Sequence, residues 1–68
     1  MNAPEDRALE VRTALEARAA NEQGIVDGLE SYVRSCAEGS QEREAARAAL
    51  AVAKLHLART RKALGLVR

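Results

Sequence analysis

The 68 residues predict an all-α fold, an antiparallel two-helix hairpin of coiled-coil-like character that dimerises into a four-helix bundle. Three observations carry that prediction. Apolar residues recur in alternating steps of four and three along two long stretches, which is the period of a helix face. One clear turn signal, Glu38-Gly39-Ser40, separates the two stretches. The second stretch is apolar on two faces, and a single hairpin covers only one of them.

The first helix is expected from about 5 to 37. Pro4 suits a first turn, where its missing N–H leaves no bond unmade, and Glu5 and Asp6 match the positive end of the helix dipole. Leu15, Ala19, Glu22, Val26, Leu29, Val33 and Cys36 fall on one stripe, widened on one flank by Val11, Ile25 and Tyr32. Gly24 and Gly28 lower helix propensity by about 1 kcal/mol each relative to alanine. The apolar register persists across them, so an unbroken helix is expected over the alternative, a break near 22–24 into two shorter helices. Ala20, Gly24 and Gly28 lie four apart, a small-residue ridge that reads either as a seat for another helix or as a tolerated soft spot.

The turn is expected at 38–40, with Gly39 in the left-handed conformation that ends a helix and Ser40 capping the next. The second helix is expected from about 41 to 66, its first turn carrying Glu42 and Glu44. Ala46, Leu50, Ala53, Leu57, Thr60, Leu64 and Val67 make an uninterrupted seam. A second stripe follows Ala45, Ala48, Val52, Leu55 and Leu66. One seam faces the first helix and the other needs a second chain, with Ala48, Val52 and Leu55 as the expected dimer contacts. A short turn forces antiparallel neighbours, placing Val33 near Glu44, Leu29 near Ala48, Glu22 near Leu55 and Leu15 near Lys62.

Size points to self-association as well. A chain of this length buries only about 60% of the surface its unfolded form exposes, and small scaffolds draw on disulfides, metals or oligomers for stability. Cys36 is the only cysteine, so no intrachain disulfide forms, and a lone thiol fits a reducing compartment. One Cys and one His, His56, do not supply the four ligands of a structural zinc site. Of the 47% hydrophobic residues nearly half are alanine, with one Tyr and no Phe or Trp, so one hairpin alone has a thin core. No apolar run reaches the ~18–20 residues that span a bilayer, and the polar start Met-Asn-Ala-Pro-Glu-Asp is unlike a signal peptide. Cytoplasmic residence is the expectation.

No nucleophile–base pair, phosphate-cradling glycine loop or carboxylate dyad is present, so neither catalysis nor a cofactor is expected and function falls to surfaces. Residues 1–53 hold all ten carboxylates against six arginines, a net −4. Residues 54–68 hold Lys54, Arg59, Arg61, Lys62 and Arg68 without an acid, a net +5. A basic C-terminal segment complements its own helix dipole and faces the acidic start of the first helix. The alternative is nucleic-acid contact through Arg59, Arg61 and Lys62, weak and salt-sensitive without interleaved aromatics. Asp27 and Glu30, with the single aromatic Tyr32, are the candidate contacts for a protein partner, since complementary charge steers encounter and tyrosine is enriched at interfaces. His56, flanked by Leu55 and Leu57, reads as interfacial, and Cys36 as a small buried hydrophobe.

Length, the hairpin pattern around Glu38-Gly39-Ser40 and the alanine- and arginine-rich composition carry one resemblance. The chain resembles the short helical proteins that bacteriophages of high-GC hosts encode to disable host factors. It is similar in type to the small quorum-sensing anti-activators of Pseudomonas phages. The resemblance implies a non-enzymatic inhibitor that binds a host regulator such as a LuxR-type transcription factor, and it assigns no residue. A structural subunit of a larger assembly is the further alternative.

Overall fold

The computed structural model describes residues 4–67, with side chains from Asp6 onward. Arg68 of the basic segment and the side chain of Glu5 lie outside the described residues. Two helices, α1 (Pro4–Ser35) and α2 (Gln41–Leu66), pack against each other as a hairpin. The result is a rod with extents of 56 × 14 × 14 Å.

α1 runs unbroken for 32 residues, through Gly24 and Gly28. A Cβ added at either glycine would meet nothing within 4 Å, so nothing inside the hairpin approaches the Ala20–Gly24–Gly28 ridge. The helix holds there because Val26 and Leu29 anchor its opposite face against α2.

Its end comes at Ser35, two residues earlier than the sequence suggests. The Cys36 N–H is shared between the carbonyls of Tyr32 (3.1 Å) and Val33 (3.2 Å), the tightened last turn in which helices often stop. Ser35 Oγ also donates to the Tyr32 carbonyl, at 2.8 Å, competing with the backbone for that acceptor. The connection is therefore residues 36–40 rather than 38–40. Within it the Ser40 N–H donates to the Ala37 carbonyl at 3.2 Å. That bond closes a β-turn with Gly39 third in order and at φ 77°, the position where a type II turn needs positive φ. Gly39 thus serves the turn and does not terminate α1. Ser40 caps α2 as expected, its Oγ accepting from the Arg43 N–H at 3.1 Å.

The stripes traced in the sequence are the ones that meet. From Leu15 to Cys36 and from Ala46 to Val67, every seam residue is buried or half-buried. Among the described residues the buried apolar side chains are few, namely Val26, Ala46 and Leu57. Alanine at seam positions keeps the helices close but contributes little buried area, which is why so regular a seam makes so thin a core.

One polar pair crosses it. Thr60 is buried, 4% exposed, and its Oγ1 donates to Glu22 Oε1 at 2.5 Å. Arg61 donates to Gln23 Oε1 at 2.6 Å one residue along. Glu22 therefore meets Thr60 and not Leu55, which lies half-exposed on the far side of α2. Part of the five-residue difference has a geometric cause. Helical side chains lean toward the N-terminus of their own helix. In an antiparallel pair the two leans run in opposite directions, so contacting residues sit further along than the backbone levels counted from the turn.

Candidate interaction surfaces

The seam divides the hairpin into two flanks of different chemistry. On one, α1 presents Glu16, Gln23 and Glu30 in steps of seven, and α2 presents Arg47, Lys54 and Arg61. Glu16 and Glu30 thus share a flank with Arg47, Lys54 and Arg61, and the contact recorded across it runs from Arg61 to Gln23. The Arg61–Gln23 hydrogen bond belongs to this flank, and Gln23 Nε2 in turn donates to Asp27 Oδ1 at 3.0 Å.

On the other flank α1 presents Val11, Arg18, Ile25 and Tyr32, again seven apart, against Ala49, His56 and Ala63 of α2. Val52 and Leu66 stand at the outer edge of α2 on the same side. Among the described residues seven large apolar side chains are well exposed: Leu9, Val11, Ile25, Tyr32, Val52, Leu55 and Leu66. Five of them belong to this one flank, while Leu9 lies on the charged flank and Leu55 on the back of α2. Two adjoining depressions of ≈ 230 and ≈ 260 Å³ open between the helices here, with Arg18 and His56 lining both.

Glu22 reaches this groove from the seam, and its Oε2 lies 3.6 Å from Arg18 Nε. The carboxylate so joins the buried Thr60 hydroxyl to the exposed guanidinium. Tyr32 closes the flank at the turn. The neighbouring Cys36 thiol raises the pKa of its phenol, and partial desolvation and the Glu42 carboxylate push it further the same way.

The candidate residues read from the sequence are distributed over these surfaces. Asp27 and Glu30 lie on the charged flank, where Asp27 accepts from Gln23 of its own helix. Tyr32 lies about 140° and 160° around α1 from them, so the three do not share a face. Val52 belongs to the edge of the apolar flank, whereas Ala48 and Leu55 lie on the back of α2. The cations Arg59, Arg61 and Lys62 fan out in three directions, with Arg59 at the apolar groove, Arg61 on Gln23 and Lys62 on the back. Ile25, Arg18 and His56 are the residues that gain a role from the fold. The sequence signal for them was the widening of the α1 stripe by Val11, Ile25 and Tyr32.

Among the described residues no group of three or more His, Cys, Asp or Glu side chains is placed to hold a metal ion. No described helix is long and apolar enough to cross a membrane. Compared with protein-family models, curated proteins and solved structures, the chain matches none. Its surfaces carry the functional argument.

Proposed function

We propose that this chain is a non-enzymatic protein–protein interaction module, acting in the cytoplasm by covering a surface of another protein with the back of α2. The observation that supports this is the exposed apolar character of that surface. Leu55 is half-exposed, surrounded on the helix by Ala48, Ala51 and Ala58, all open to solvent. A helix apolar on both its inner and outer faces is ordinarily a buried helix. Small residues around one leucine let another protein's backbone come close; Lys62 and, at the edge, Arg47 and Lys54 bring positive charge to the patch, with Glu44 at its turn end.

This is the arrangement of a helix laid into an apolar groove, with an anchor side chain and a charged rim. The partner chemistry it fits is a protein groove edged by carboxylates. Stoichiometric inhibition of a regulatory protein, the role implied by the resemblance to phage anti-activators, is the biological form we assign to it.

The test is affinity capture from the lysate of the cell in which the protein acts. The bait would be the tagged wild type beside Leu55→Glu and the charge reversal Asp27→Lys/Glu30→Lys. A partner retained by wild type and by the charge reversal, but lost with Leu55→Glu, supports this surface. Loss with the charge reversal alone moves the contact to the charged flank. Identical captured sets from all three baits remove both surfaces from the account.

A further inference from the structure

We infer that the apolar flank of Val11, Ile25, Tyr32 and Val52 is the seat of a second copy of this chain. The two hairpins stack on it about a two-fold axis with their ends reversed. This inference concerns a different surface from the back of α2 and stands whether or not that surface binds a partner.

Pattern is the first argument. A helix of a four-helix bundle is apolar along its seam and along one adjoining line; on this side α1 adds Val11, Ile25 and Tyr32 to its seam, and α2 adds Ala49 and Ala63 with Val52 and Leu66 beyond them. Stacking two hairpins on that side draws on five of the seven large apolar side chains exposed among the described residues, covering Ile25, Tyr32 and Val52 centrally with Val11 and Leu66 toward the ends. Stacking them on the back of α2 would enclose Leu55 and leave Ile25 and Tyr32 in water.

Area is the second. A folded monomer of 7.3 kDa exposes about 4,200 Å² on the usual scaling with mass. This chain exposes 5268 Å². The excess, roughly 1,100 Å², is of the size that each partner of a stable dimer buries, about 800 Å². A rod of 56 Å has the length to supply it along one flank.

Charge fixes the direction. The flank is acidic at the turn, where Glu42 stands beside Tyr32, and basic toward the open end, where Arg18 and Arg59 line the groove. With ends aligned, Arg18 would lie over the partner's Arg59, like on like. With ends reversed, Tyr32 and Glu42 of one copy pass over the basic half of the other, bringing a carboxylate to guanidinium groups and an aromatic face to a cation. Like charges in an interface select against the aligned form. The same reversal lays α1 on α1 and α2 on α2, each antiparallel, with Ile25 and Val52 in the central region.

Sedimentation equilibrium of the purified chain tests the surface. Wild type is expected as a dimer at micromolar concentration, weakened roughly tenfold or more by Ile25→Glu or Tyr32→Ala. Leu55→Glu is expected to leave it unchanged. Ile25 and Tyr32 are half-exposed within the hairpin, so a loss of helicity that accompanies dissociation in these variants, and not in Leu55→Glu, also supports the interface. A wild-type monomer at about 100 µM, or dissociation by Leu55→Glu but not by Ile25→Glu, overturns it. Spin labels on Glu38→Cys, in a Cys36→Ser background, test the direction. Reversed ends put the two labels on the order of 40 Å apart. A separation below about 20 Å overturns the reversed arrangement.

Discussion

Thr60 donates its hydroxyl proton to Glu22 across the hairpin at 2.5 Å, the one side-chain hydrogen bond to a buried donor that joins the two helices among the described residues. A polar pair inside an apolar seam contributes less to stability than to alignment. Sliding α2 by one turn would leave the hydroxyl buried without an acceptor and place the carboxylate against aliphatic carbon. Because most seam positions are alanine, leucine or valine, which pack in several registers, this pair singles out one of them.

Thr60→Val is accordingly expected to lower stability by about 1–2 kcal/mol, since it leaves a half-buried carboxylate without its donor. For a domain of this size that is a fall in Tm of roughly 4–8 °C per kcal/mol. The double variant Glu22→Leu/Thr60→Val should recover the loss or exceed wild type, because both polar groups leave together. Thermal denaturation followed by circular dichroism measures all three. A double variant less stable than Thr60→Val would refute the view that the pair serves alignment.

The same substitution should act with opposite sign at two glycines. Gly39→Ala forces a side chain into positive φ in the turn and should cost about 1 kcal/mol. Gly24→Ala adds a methyl group that meets nothing within 4 Å, in the middle of a helix, and should gain about 0.8–1 kcal/mol. Urea unfolding of the two variants checks the signs. A destabilising Gly24→Ala would show that something packs on the ridge of α1.

Ser40→Ala removes the oxygen that accepts from the Arg43 N–H and should cost about 1 kcal/mol of stability. Ser40→Asp, which restores an acceptor and adds a charge at the positive end of α2, should return most of it. Helix content and Tm of the two variants decide the matter.

Tyr32 is the only tyrosine, so its ionisation can be followed by ultraviolet absorbance without interference. Its midpoint should lie above that of free tyrosine, with the Cys36 thiol the main cause and Glu42 a smaller one. Cys36→Ala should bring the midpoint down, and Glu42→Gln should do so by less. In linkage terms the folded state holds the phenol proton more tightly than the unfolded chain. That contribution is full below the unfolded value and is lost as pH rises through the folded one. Helicity should therefore fall more steeply with alkaline pH in wild type than in Tyr32→Phe.

The three clustered cations should give three different phenotypes when neutralised singly. Arg59→Ala should weaken self-association, because Arg59 lines the apolar groove. Arg61→Ala should lower stability by no more than about 1 kcal/mol, since its bond to Gln23 is exposed. Lys62→Ala should leave both unchanged. A gel-shift titration with DNA at low salt that responds equally to all three would instead make them one nucleic-acid surface.

The sequence by itself determined the two helices, their amphipathic seams, the cap at Ser40 and the positive-φ glycine at 39, because each follows from local propensity and a fixed period of 3.6 residues. It also placed the seam correctly through Glu22 and Thr60, since alternating steps of four and three admit polar members. Only the tertiary structure decided what those two residues do, because a count from the turn fixes neither the packing offset of the helices nor the opposite lean of their side chains. The division of the surface was decided there too. Helical spacing alone turns Tyr32 away from Asp27 and Glu30, but only packing against α2 makes its side an apolar flank and theirs a charged one. Residues far apart in sequence, such as Ile25 and Val52, share a face only because the turn at 36–40 brings their helices side by side.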